Sequence, residues 1–151
     1  QRINDITKII CHQITYENYL KEHSNENFDL IFDCTDNHKN KILSSQLCKK
    51  NKIAYVSISI NSTEGIYFSQ NYKKDTTACF ACLFPQTDVN HRCLNSAMIG
   101  PVAGFVTSLA CTKIIFALAN SSIDLKSEIN LIDLLTSDIN KLQLADIKCP
   151  H

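Results

Sequence analysis

The chain has 151 residues, 44% of them apolar and 20% charged, which suits one globular domain with a buried core. Its 15 basic and 15 acidic residues cancel and form no long like-charge block, so composition argues against a nucleic-acid surface. Gln1–Glu17 reads as polar chain rather than a signal peptide, and the eight cysteines are expected in a reducing compartment, not in a disulfide scaffold.

Phe28–Thr35 is a short apolar run ending in polar residues, the mark of a buried strand. Asp36 and Asn37 can cap a helix over Lys39–Lys50, where Ile42, Leu43 and Leu47 fall at helical spacing. Ile53–Ile60 reads as a second strand. Strand, helix and strand at this spacing make one βαβ unit and predict parallel pairing. Gly65–Phe68 reads as a further strand.

From Asp75 to Gly100 periodicity disappears, and a loop of that length is seldom idle in a compact domain. Pro101 suits the first turn of the helix that follows. Val102–Ala119 is the most apolar stretch, yet Lys113, Thr107, Ser108 and Thr112 within it predict a buried core helix rather than a membrane span. Glu128–Leu135 and Asp138–Leu144 read as two strands joined at Thr136–Ser137. The glycines are three, Gly65, Gly100 and Gly104, and no G-x-G-x-x-G or P-loop pattern occurs. The phosphate cradle that usually opens such a fold is therefore not expected in this chain.

Cys79-Phe80-Ala81-Cys82 is half of a tetrahedral thiolate site, and Cys149-Pro150-His151 begins a matching half one residue short of completion. The spacing predicts a structural zinc tying two remote segments together, in a chain that is part of something longer. His151 could stand in for the fourth thiolate, although two residues after Cys149 it would make a cramped chelate. A redox Cys-x-x-Cys normally opens a helix, whereas Leu83-Phe84-Pro85 breaks the path here. Cys34, Cys48 and Cys111 lie in apolar runs, where a reduced thiol behaves as a small hydrophobe.

Asp36 falls where open α/β sheets bind ligands, at the carboxyl end of a strand. A carboxylate there can hold Mg²⁺ beside substrate phosphates, or it can simply cap the helix. Cys93 lies in the long loop after His91 and Arg92. Two potentially cationic neighbours favour its thiolate; the alternative is a surface thiol with no role.

Taken in order, Asp33-Cys34-Thr35-Asp36-Asn37, Cys79-Phe80-Ala81-Cys82-Leu83-Phe84-Pro85, Cys93, Gly100-Pro101-Val102-Ala103-Gly104 and Cys149-Pro150 resemble the ThiF/MoeB/HesA family, bacterial-type relatives of ubiquitin-activating enzymes. The resemblance implies the second half of a Rossmann-like activating-enzyme fold: an α/β domain with a mixed sheet, flanking helices and a zinc-clamped loop. Residues 1–151 would then be a single incomplete domain, the C-terminal part of an adenylation domain. It implies an adenylyltransferase that uses ATP and Mg²⁺ on the C-terminal glycine of a small ubiquitin-like sulfur carrier ending in Gly-Gly, before transfer to a cysteine sulfur. Asp36 would position Mg-ATP, Asn37 would sit beside the nucleotide, and Cys79, Cys82 and Cys149 would bind zinc. Cys93 would handle the sulfur or form the thioester. A cytoplasmic homodimer that binds neither nucleic acid nor membrane is implied as well. The glycine-rich loop, the ribose-binding acidic residue and the phosphate-binding Arg and Lys find no match, so the chain alone is expected to be inactive. A non-catalytic docking or dimerisation module, and an activating enzyme for a true ubiquitin-like modifier, are the alternatives.

Overall fold

The computed structural model describes residues 7–23, 26–74, 78–85, 97–119, 125–144 and 149. The elements in chain order are α1 (Tyr16–Glu22), β1 (Leu30–Asp33), α2 (His38–Asn51), β2 (Ala54–Asn61), β3 (Glu64–Asn71), α3 (Phe80–Leu83), α4 (Gly100–Ala119), β4 (Glu128–Asp133) and β5 (Asp138–Gln143). The strands form a five-stranded sheet in the order β1-β2-β3-β4-β5. β1 and β2 pair in parallel across the α2 crossover, as the βαβ spacing predicts. The remaining neighbours pair antiparallel, so the sheet is mixed.

Because side chains alternate along a strand, each face of the sheet carries its own core. One face presents Ala54, Val56, Ile58, Tyr67 and Ile132 to α4. That helix answers with Val102, Val106, Ala110, Ile114 and Ala117, spaced three or four residues apart. At Gly65 a Cβ would run into the Val106 side chain of that helix, so glycine is needed there for room. The other face presents Tyr55, Phe68 and Ile129 to α2 and α3.

α4 is long and apolar enough to cross a membrane by length and composition alone. Here one of its faces lies on the sheet. The expectation of a buried core helix holds for that face only, since Phe105, Ile115, Phe116 and Leu118 on its other side are exposed. Its charged residue is accounted for: Lys113 pairs with Glu128 of β4 and lies 5.0 Å from the Tyr67 ring centroid.

Glu128 is only 3% exposed, on the α4 face of the sheet. Besides Lys113, it accepts hydrogen bonds from Lys141 at 2.7 Å and from the Asn130 amide at 3.1 Å. Burial alone would raise its pKa, but these bonds outweigh burial and carry it from the ordinary 4.5 down to about 2. A depressed carboxylate stabilises the fold above its unfolded pKa and loses that contribution as pH falls through the folded value. Urea midpoints are therefore expected to fall between about pH 4.5 and pH 2, with a shallower fall in Glu128→Gln. An identical acid limb in that variant would show that Glu128 does not carry it.

Candidate nucleotide crevice and thiolate cluster

β1 ends at Asp33, and the chain turns at once into α2. The turn is fixed from below by the Asp33 carboxylate, which is 3% exposed. One of its oxygens accepts the Thr35 N–H at 2.8 Å and the Thr35 hydroxyl at 2.7 Å. The other accepts Ser44 Oγ at 2.8 Å and the Tyr55 hydroxyl at 3.1 Å. Lys41, 4% exposed, brings its Nζ to 3.6 Å from the same carboxylate and donates to the Ile58 carbonyl at 2.8 Å. Burial works against ionising Asp33, yet the Thr35 and Ser44 bonds and the Lys41 charge hold its pKa below the ordinary range. Lys41 is pushed the other way from a free lysine: burial lowers its pKa, and Asp33 opposes that only in part.

This network was not legible as a site in the sequence. Ile42, Leu43 and Leu47 carry the apolar spacing of α2, but the face it buries is Lys41, Ser44, Ser45 and Cys48. The signal that could have found it is the set of polar residues at i, i+3, i+4 and i+7, facing a strand that ends in Asp33. Ser45 continues the polar seam, sharing a 2.6 Å hydrogen bond with the Tyr72 hydroxyl and accepting the Phe80 N–H at 3.2 Å.

Asp36 and Asn37 stand above this network, exposed at the carboxyl tip of β1. The capping expectation falls on the second of them. Asn37 is the N-cap of α2 and its side chain accepts the Asn40 N–H at 3.3 Å, which leaves the Asp36 carboxylate out of the cap. Cys34, the first residue after the strand, is exposed rather than buried, and Cys111 is half-buried on α4. Cys48 is fully buried, and burial pushes its thiol far above the ordinary range.

Within the long loop the structure adds an element that the sequence did not suggest, the single turn α3, with Cys79 at its N-cap. Phe80 anchors it, meeting Phe68 edge-on at 5.4 Å and Phe84 at 4.8 Å. The first turn of α2 reaches the same segment, His38 Nε2 lying 3.0 Å from the Phe84 carbonyl. Anchored in this way, Cys79 and Cys82 meet Cys149, distant in sequence. Cys82 Sγ lies 3.4 Å from Cys79 Sγ and 3.4 Å from Cys149 Sγ, and all three sulfurs fall within 4.8 Å of one another.

The donor set fits a tetrahedral thiophilic metal. Zinc–sulfur bonds of about 2.3 Å place the sulfurs of a tetrahedron about 3.8 Å apart, close to this spacing. Burial and the two neighbouring sulfurs push the Cys82 thiol up to about 12, a shift that a bound cation would oppose. Cys93, His91, Arg92 and His151 lie outside the described residues.

A family model described as the ThiF family matches residues 1–151. The chain belongs to the ThiF family. Among curated relatives, the adenylyltransferase and sulfurtransferase MOCS3 of Dictyostelium discoideum is 25% identical over 122 residues, 79% of this chain and 28% of that protein. The adenylyltransferase and sulfurtransferase uba4 of Pyricularia oryzae is 29% identical over 130 residues, 79% of this chain and 26% of that protein. Among solved structures, E. coli MccB aligns with a TM-score of 0.67 at 15% identity, over 91% of this chain and 42% of that one. A second MccB structure, with ATP, gives 0.64 at 16% identity over 94% of this chain and 42% of that one. The likeness to MccB establishes the fold: this ThiF-family chain has the mixed α/β sheet expected of an activating-enzyme fold. It spans under a third of the length of these two curated relatives and under half of MccB.

Proposed function

We propose that this chain supplies the metal-positioning and sulfur-handling half of an ATP-dependent enzyme. The enzyme would adenylate the C-terminal glycine of a small ubiquitin-like sulfur carrier and then pass the acyl group to a cysteine sulfur. The observation that supports this best is the buried Asp33–Lys41 network, which holds the β1 tip that carries Asp36 and Asn37. Adenylyltransferase and sulfurtransferase relatives support it further.

A carboxylate is a poor electrophile, and joining it to AMP provides a leaving group. Asp36 would hold Mg²⁺, which would offset the charge that develops on the phosphate oxygens. Asp36 contributes through the metal in this scheme rather than by taking a proton. Asn37, committed to its cap, fixes the start of α2 beside the nucleotide. Cys79, Cys82 and Cys149 would hold zinc, whose part is structural: it locks residues 79–82 to residue 149. In the second half-reaction the Cys93 thiolate would attack the acyl carbon. The new carbon–sulfur bond would form as the carbon–oxygen bond to phosphate breaks and AMP leaves. His91 and Arg92 would keep that sulfur ionised near neutral pH.

The phosphate cradle and the ribose-binding acidic residue are proposed to come from the part of the enzyme that this chain does not span. The whole enzyme is proposed to be a cytoplasmic homodimer. Apolar residues exposed along β4 and β5 (Leu131, Ile139 and Leu142) favour a docking role as a second reading, but they give Asp36 nothing to do. The test is Cys93→Ala in the complete enzyme. Sulfur transfer or thioester formation is expected to disappear while carrier adenylation persists; both steps surviving unchanged would make Cys93 an ordinary loop thiol.

A further inference from the structure

Lys49 sits in the last turn of α2, one residue after the buried Cys48. In the sequence it belongs to a Lys49-Lys50 pair of the kind that usually marks a solvated helix end. The fold turns it toward the thiolate cluster instead, and its Nζ donates to Cys149 Sγ at 2.9 Å. Cys48 packs in the same core cluster as Cys79, with Cys82 and Cys149 against it, so the end of the helix is pinned where the lysine can reach.

The charge balance gives this contact a consequence. Three thiolates around a divalent ion leave a net charge of −1 with a neutral fourth ligand, and −2 with a fourth thiolate. A metal–thiolate centre with uncompensated charge is costly at a half-buried position. An ammonium at hydrogen-bond distance removes one unit of that charge and draws electron density from the bonded sulfur. The helix end adds a second reason for a cation at this place, because the last-turn carbonyls carry partial negative charge.

From this geometry we infer that Lys49 is the charge-balancing partner of the Cys79–Cys82–Cys149 centre and sets how tightly that centre holds a divalent metal. The inference rests on the metal-binding reading of the three cysteines. It assigns Lys49 a positioning role that acts through Cys149.

Cobalt(II) tests it, because thiolate coordination gives cobalt a charge-transfer band that reports the ligating sulfurs directly. The full chain, Lys49→Met, Lys49→Gln and Lys49→Arg are titrated with cobalt against a competing chelator, with far-ultraviolet circular dichroism as the check on folding. Outer-shell partners of metal ligands are typically worth about 10–100-fold in affinity. Lys49→Met is expected to lose affinity by roughly that factor and to move the charge-transfer band to lower energy, since a sulfur that accepts no hydrogen bond gives up its electron more readily. Lys49→Arg is expected to stay within about threefold of the parent, and Lys49→Gln, a donor without charge, to fall between the two. An unchanged affinity and band in Lys49→Met, with the parent binding cobalt normally, would overturn the role of Lys49 alone. A parent chain with no cobalt–thiolate band would remove the metal centre itself, and this inference with it.

Discussion

Metal analysis is expected to find about one zinc per chain, and Cys82→Ser is expected to lose the metal together with a large part of the thermal stability. The size of the loss follows from linkage. A ligand present at about 1,000 times its dissociation constant stabilises the folded state by about 4 kcal/mol. For a domain of about 150 residues each kcal/mol is worth roughly 2–4 °C in Tm, so a fall of roughly 8–16 °C is expected. Cys82 is the choice because its sulfur lies 3.4 Å from both of the others. Stripping the parent with a chelator should reproduce the effect, and returning zinc should reverse it. Cys111→Ser, on α4 and outside the cluster, serves as the control. A parent without metal, with a Tm unchanged in Cys82→Ser, would reduce the three cysteines to packed thiols.

Lys41→Met is expected to cost about 3–5 kcal/mol, because it strands the Asp33 carboxylate in the interior without its counter-charge. That is a large share of the roughly 5–15 kcal/mol by which an ordinary domain is stable, so the variant sits near the edge of folding. The paired variant Asp33→Asn/Lys41→Met supplies the control. If the two side chains act as a unit, its cost should be smaller than the sum of the two single costs, by about 0.5–3 kcal/mol. Strict additivity would mean that they contribute separately. The pH dependence carries a sign as well. Asp33 has a depressed pKa, so its contribution is complete above the ordinary carboxylate value and is lost as pH falls through the lower folded value. Asp33→Asn should remove that part of the acid limb and leave the Glu128 part.

The course of the chain was legible wherever one residue type dominated a repeat. The strand before Asp36, the βαβ crossover, the apolar helix after Pro101 and the final hairpin all follow from apolar periodicity and turn chemistry. Two other features were hidden for physical reasons. β2 and β3 are joined at Ser62 and Thr63, and Ser62 takes a left-handed backbone (φ 53°) where glycine or asparagine would have announced the turn. The buried face of α2 is polar, so the residues that fix the candidate crevice looked like the solvated side of a helix. Apolar spacing marks which side chains avoid water, but it does not register a lysine and two serines buried because an aspartate lies beneath them. The thiolate cluster was the opposite case. Its spacing named Cys79, Cys82 and Cys149 directly, since few other arrangements need that pattern; its lysine partner carried no such mark.

The role of Asp36 is decided by ATP–pyrophosphate exchange driven by a carrier protein ending in Gly-Gly, measured on the complete enzyme, on its Asp36→Ala variant and on this chain alone. Carrier-dependent exchange is expected from the complete enzyme, with a loss of at least about 100-fold in Asp36→Ala with the fold intact, and none from residues 1–151 by themselves. Exchange that is undiminished in Asp36→Ala, or that this chain sustains unaided, would contradict the proposed function.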